Sequence, residues 1–275
     1  MNTAVDTAAQ PAPKPAAQPV PKNAAATAGT LRLIRLEISR ALRNKKYLFF
    51  TVAYPAALFL MLGGTLNGTT KVMGTQLTMP AFYMVAMASF GALTAVLMGN
   101  GERIAKEREK GWVRQLRLTA LPGRGYVLAK TASAGVLSLP AILVVFLVAA
   151  VVKDVRFEAW QWFALTGAIW AGSLVFAALG VAIGYLASGD TARPLTMLVY
   201  FSLSILGGLW MPTANFPQWL QNICEWLPTH AYAALGQAIE LGGAPHAKDV
   251  AVLAVYFVLF TGAAAWLYRK DSLKA

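Results

Sequence analysis

The side chains able to do chemistry are few and unevenly spread. Among 275 residues there are 12 Asp or Glu, two His and one Cys. His230, His246 and Cys224 stand in no spacing that suits a metal, so no metal site is expected. No GxSxG turn and no GxxxxGK[ST] loop occurs, so neither a serine hydrolase elbow nor an ATP-cradling loop is present in this chain. The densest charged group is Asn100 to Lys130, NGERIAKEREKGWVRQLRLTALPGRGYVLAK, with eight bases and three acids, Glu102, Glu107 and Glu109. Mixed charge without a nucleophile suits recognition of another surface. Ile104, Trp112, Leu116 and Leu118 recur at loosely helical spacing, and Pro122, Gly123 and Gly125 end the pattern. The stretch therefore predicts a short amphipathic helix with a sharp stop, held flat under a membrane. The plainer reading is a solvated loop whose positive charge fixes topology.

The rest of the chain explains why such a stretch must lie in water. Hydrophobic residues make up 57% and charged ones 13%, with a mean hydropathy of +0.53. The charged share is about half that of a soluble domain, which points to an integral membrane protein. The formal charge of +12 does not call for nucleic acid. Of 24 Lys and Arg, 20 fall in segments assigned to one side of the membrane, and only Lys71, Lys153, Arg156 and Lys248 fall in the opposite loops. That asymmetry predicts a multi-pass protein of the cell (inner) membrane with both termini in the cytoplasm. A single cysteine allows no intrachain disulfide.

In chain order, residues 1–30 are rich in Ala and Pro and predict a disordered cytoplasmic tail, leaving residues 31–275 as the membrane domain. Leu31 to Lys46 places Leu31, Ile34, Ile38 and Leu42 on one face, with Arg32, Arg35, Arg40 and Arg43 largely off it. This predicts an interfacial helix touching membrane lipid. Six uncharged runs follow, at about 47–66, 77–99, 131–152, 160–186, 194–210 and 250–268. Most reach the ~20 residues that a bilayer crossing needs, and the fifth is short. Gly180 and Gly184 have the GxxxG spacing that lets another helix approach, within the chain or in a second copy. Met211 to Glu240 is cut by Pro212, Pro217 and Pro228 into pieces too short to cross, which suits a re-entrant hairpin on the outer side. Cys224 lies in it, flanked by Leu220, Ile223 and Leu227, so a shielded, slow-reacting thiol is expected.

None of the six runs holds an ionisable Asp, Glu, Lys, Arg or His. Ion-coupled carriers commonly place such groups in their spans. A transporter lacking both ion coupling and a nucleotide loop must take energy from a partner, and the central charged stretch is where it would be received.

Here the residues resemble a family. Glu107-Arg108-Glu109-Lys110-Gly111, then Leu116 to Thr119 and Leu121-Pro122, resembles the cytoplasmic coupling segment of type-2 ABC exporter permeases. Gly207-Gly208, Pro212, Phe216-Pro217-Gln218-Trp219-Leu220 and Pro228 resemble that family's outer re-entrant segment. Trp112 departs from the pattern, where many members have Thr. The resemblance implies an all-α membrane protein with six transmembrane helices, an N-terminal interfacial helix, a cytoplasmic coupling helix and an outer hairpin built around Pro212, Pro217, Trp219 and Pro228. It implies two permease chains, identical or closely related, with two ATP-binding cassette subunits that carry ATP and Mg, none of it bound by this chain. Glu102, Arg103, Glu107, Arg108, Gly111, Trp112, Arg114, Leu118 and Pro122 would then face the ATP-binding subunit. Tyr54, Tyr83, Ser89, Thr94, Tyr200 and Ser204 are candidates for the path of an amphipathic or hydrophobic substrate, a drug-like metabolite or lipid. The alternative is a membrane-embedded lipid-acting enzyme or assembly factor that works without ATP.

Overall fold

The computed structural model describes residues 22–63, 70–72, 76–112, 115 and 123–272. These residues form helices joined by short connectors, with one isolated bridge, Lys71 to Thr78, in place of any strand. Helix α1 is Lys22–Arg43. It starts ahead of Leu31, taking in Ala-rich sequence of high helix propensity that the sequence reading assigned to a disordered tail. Helix α2, Lys45–Leu62, contains a π-helical segment at Phe49–Ala53, and Asn44 caps its start by accepting from the Tyr47 backbone N–H. Helix α3 runs unbroken from Met79 to Glu109, with a π turn at Thr94–Met98. Helix α4 is Gly123–Val152, α5 Ala159–Leu186, α6 Gly189–Leu206, α7 Gln218–Cys224, α8 Pro228–Glu240 and α9 Ala247–Ser272.

Five of these helices are long and apolar enough to cross a membrane: α2, α3, α4, α5 and α9. The sixth expected crossing, α6, is not among them. It has 18 residues and opens on Asp190 and Arg193, which lower its apolarity, so the count of six is not met by length and composition.

Helix α3 is the axis. Its most apolar window is 89% buried, against 28% for α2 and 17% for α9. Met84, Met87, Phe90, Leu93, Val96 and Leu97 are fully enclosed by the other helices. Lipid tails are as apolar as these side chains, so close fit rather than water exclusion must hold the helices together. The expected small-residue contact serves that purpose within the chain. Gly180 and Gly184 of α5 face the lower half of α3, and a Cβ on Gly184 would stand only 2.7 Å from that of Ile104. Helix α8 packs similarly: Gly236 faces Val85 of α3, and Gly172 of α5 receives the Tyr232 ring.

The central charged stretch differs from its expected form. Asn100–Glu109 is the continuation of α3, not a separate helix lying flat. The apolar run ends at Gly99, yet nothing in ERIAKERE breaks a helix. The stop comes at Gly111, whose φ of +69° favours glycine. Trp112 and Gln115 are helical. Arg114, Leu118 and Pro122 lie outside the described residues, as does most of the proposed coupling helix.

Met211 to Glu240 forms short pieces, as its prolines predict. Pro217 stands at the start of α7 and Pro228 opens α8, where a missing N–H is tolerated. Pro212 precedes a 3-10 turn at Thr213–Asn215. Helix α8 runs antiparallel beside the first part of α5. The Tyr232 hydroxyl donates to the Ile169 carbonyl at 2.9 Å, and Gln161 Nε2 donates to the Ile239 carbonyl at 2.9 Å. Trp219 and Trp226 stay exposed, while Cys224 is fully buried and its thiol pKa is pushed up by that burial.

Candidate functional site

The charged end of α3 projects past the apolar core, and its side chains reach five other helices. Each successive turn of a helix presents a new direction, so a run such as RIAKERE can address a whole ring of neighbours. Arg103 Nη1 meets Glu37 of α1 at 2.9 Å. Glu107 Oε1 accepts from Lys130 Nζ of α4 at 2.7 Å, and its Oε2 accepts from the Tyr126 hydroxyl at 2.7 Å. Arg108 Nη1 donates to the carbonyls of Gly184 and Tyr185 at 2.9 and 3.1 Å, capping the end of α5. The same guanidinium pairs with Asp271 of α9 and lies over the Tyr185 ring, 5.1 Å from its centroid. Glu109 accepts from the backbone N–H of Gly189, the first residue of α6, where the helix dipole favours an anion. Glu102 and Lys106 pair with each other at 2.6 Å on the more exposed side.

A buried triad forms the centre. Lys130 bridges Glu107 at 2.7 Å and Glu37 at 3.0 Å, and Lys130 and Glu37 are almost wholly enclosed. Burial alone would raise the Glu37 carboxyl pKa, but Lys130 and Arg103 outweigh it and hold the carboxyl below its ordinary range. Glu37 also decides which face of α1 turns inward. Leu33, Glu37 and Ala41 are buried, while Leu31 and Leu42, expected on the face that meets lipid, are exposed. Arg32, Arg35, Arg40 and Arg43 line the outer surface of the same helix.

The coupling residues of the sequence reading thus separate. Arg103, Glu107 and Arg108 point into the bundle end and find partners within the chain. Glu102 faces outward with Lys106, Gly111 supplies the turn, and Trp112 sits beneath the Arg40 guanidinium, 5.6 Å from its ring centroid. Sequence reasoning missed Glu37, Tyr126 and Asp271. One signal was available for Glu37, the only acid in LRLIRLEISRALRNKK.

A second feature lies higher on α3. Thr94, at the π turn, bonds the Tyr200 hydroxyl at 2.6 Å, and Phe90 packs on Tyr200 and Trp210 with ring centroids 5.0 and 5.4 Å apart. Trp210 Nε1 donates to Ser204 Oγ at 3.2 Å. Tyr54, Thr94 and Tyr200 line a cavity of about 360 Å³ between α2 and α6, whose lower end reaches Glu102 and Arg193. Of the six path candidates, Tyr54, Thr94, Tyr200 and Ser204 therefore belong to one neighbourhood. Ser89 is enclosed in the core and Tyr83 sits against Gly63, just past the end of α2, away from that cavity.

Comparison with known proteins bears on this arrangement. Residues 65–266 match the family described as "ABC-2 family transporter protein". The chain is 30% identical over 237 residues to the Bacillus subtilis (strain 168) protein named "Putative transport permease YvfS", a match covering 86% of this chain and 95% of that protein.

Proposed function

The chain belongs to the ABC-2 family of transporter proteins, and on that premise we propose that it is the membrane-spanning subunit of an ATP-driven exporter. Two copies, or one copy and a close relative, would pair and each engage a separate ATP-binding subunit that carries ATP and Mg. The substrate is amphipathic or hydrophobic, moved outward across the cell membrane from a side that holds both termini.

One observation carries the reading: a single helix end holds charged ties to α1, α4, α5, α6 and α9 at once. Force applied near Gly111 by a partner would reach every one of them without an intervening flexible joint. Packed elements of this kind move as bodies, and a small shift at one end displaces the far end. The cavity between α2 and α6 supplies the polar and aromatic lining that an amphipathic substrate needs. Phe50, Leu198 and Phe201 are exposed on these two helices, which suits a second chain or a bound substrate as well as lipid.

The test is co-expression with a candidate ATP-binding protein. We expect a complex that survives purification, and ATP hydrolysis that rises when this chain is present. Cysteines placed at Phe50 and Leu198 in a Cys224→Ser background should cross-link between two chains. A chain that purifies alone, leaves hydrolysis unchanged and cross-links only within itself would overturn the proposal and favour a lipid-acting protein independent of ATP.

A further inference from the structure

At the end of α3 remote from Glu107 lies another buried acid, Glu240, the last residue of α8. It is 7% exposed, and among the described residues neither carboxylate oxygen has a hydrogen-bond partner. Its backbone is held firmly: Gln161 Nε2 donates to the neighbouring Ile239 carbonyl, and Gln161 itself is locked in the capping box that starts α5. Glu240 lines a cavity of about 480 Å³. The cavity's other walls include the apolar Leu77, Pro80, Ala81, Val155 and Phe157.

An ionised carboxylate without partners is costly to bury, so Glu240 rests as the neutral acid, its pKa well above the ordinary range because of that burial. The helix end adds to the local preference for positive charge, since α8 points its carbonyl terminus here. The other charged residues lining the cavity are Lys153, Asp154 and Arg156, and the last two pair with each other in water. Nearby Lys71 bonds Gln76 and Glu158 accepts from the Trp160 indole. A hard metal ion would need six or more oxygen ligands, whereas this cavity offers one enclosed carboxylate, with the cations Lys153 and Arg156 and several apolar side chains in its walls. An anion would be set against Glu240 itself.

We propose that this cavity is a binding site for a small organic cation, a protonated amine with a compact apolar body, and that Glu240 is its counter-ion. When the ammonium enters, the Glu240 carboxyl gives up its proton to solvent and the carboxylate pairs with the ammonium. Binding is then an exchange of one cation for one proton, and it weakens as pH falls. The site is independent of the ATP-coupled reading of the opposite end.

The experiment uses the full chain in nanodiscs of neutral lipid, with cyclohexylammonium as the probe, cyclohexanol as its uncharged counterpart and sodium as an inorganic cation. Calorimetry in two buffers of different ionisation heat reads affinity and proton release together. We expect cyclohexylammonium to bind with release of a proton, and Glu240→Gln to weaken it on the order of tenfold to a hundredfold and abolish the release. As a measurement that needs no variant, dicyclohexylcarbodiimide, which attacks protonated carboxyls in apolar surroundings, should modify Glu240 in the wild-type chain, and cyclohexylammonium should protect it. Equal binding of cyclohexanol, equal binding of sodium, unchanged affinity in Glu240→Gln, or carbodiimide labelling of Glu240 that the amine does not slow would each overturn the assignment.

Discussion

Glu107 and Glu240 are acids near opposite ends of one bundle, and they live under opposite rules. Glu107 receives a lysine and a tyrosine hydroxyl, and through Lys130 it is tied to a further buried carboxylate, Glu37. Glu240 receives no described partner at all. The contrast teaches that burial does not fix the charge of a carboxylate; the donors around it do. A network in which each carboxylate meets a cation holds helices in place at one end, whereas at the other an unpaired carboxyl can still take a partner. A membrane protein keeps such costly groups away from lipid, and both acids here are enclosed by protein rather than by acyl chains.

The strongest way to break the contrast is to make the complete end incomplete. Lys130→Met leaves Glu37 and Glu107 enclosed without their shared cation. Removing one partner of a buried pair costs about 3–5 kcal/mol, so the variant should unfold at markedly lower temperature in detergent and give poor yield. A melting curve unchanged from wild type would show that the triad contributes nothing. Arg108→Lys is the next test. A lysine cannot reproduce the fork that spans Asp271 and two carbonyls, so a loss of about 1.5–3 kcal/mol is expected, with α9 loosening first. Hydrogen exchange along α9 reads this directly, and uniform protection in both proteins would remove Arg108 from that role.

Acid offers a gentler version of the same break. The Glu37 carboxyl pKa is held below its ordinary value of 4.5 in the folded chain. Its contribution is therefore fully present above the unfolded value and is lost as pH falls through the folded value. Helix α1 should lose exchange protection below about pH 4.5 while the core of α3 keeps it. Glu37→Gln should flatten that pH dependence. The smallest expected effect lies at the other end. Glu240→Gln replaces a neutral acid by a neutral amide with no partner lost, so stability should change by less than about 1 kcal/mol, where Glu107→Gln costs clearly more. Equal melting losses in the two variants would erase the distinction.

Much of this architecture was legible in the sequence, for reasons that differ by element. The uncharged runs announced α2, α3, α4, α5 and α9, because lipid excludes charge so strongly that composition alone marks them. Pro217 and Pro228 announced the short helices α7 and α8. The lower limit of α3 was misread because hydropathy ends at Gly99 while helix propensity continues to Glu109. Glu37 stood out only as the lone acid of its segment, since its partners Arg103 and Lys130 lie on other helices and no local pattern records a pairing so distant in the chain. Glu240 escaped for the converse reason: an acid at a helix end next to Gly242-Gly243 reads as solvated, and only the packing of α5 and α8 encloses it.

The π turn at Thr94–Met98 has a consequence for the angular phase of α3. An α-helix turns about 100° per residue, and a π turn accommodates one extra residue in a helix without breaking it. The half of α3 that carries Phe90 and the half that carries Glu107 are therefore set in angle by that insertion. Rewinding that turn as regular α-helix, with no residue removed, would swing the charged end by about 100° relative to the upper half. Arg103, Glu107 and Arg108 would then point between their partners instead of at them. Because Thr94 also bonds Tyr200, the place where the two phases meet is the place where the α2–α6 cavity touches the axis, so rewinding that turn would re-aim the two ends against each other while every crossing stayed in the membrane.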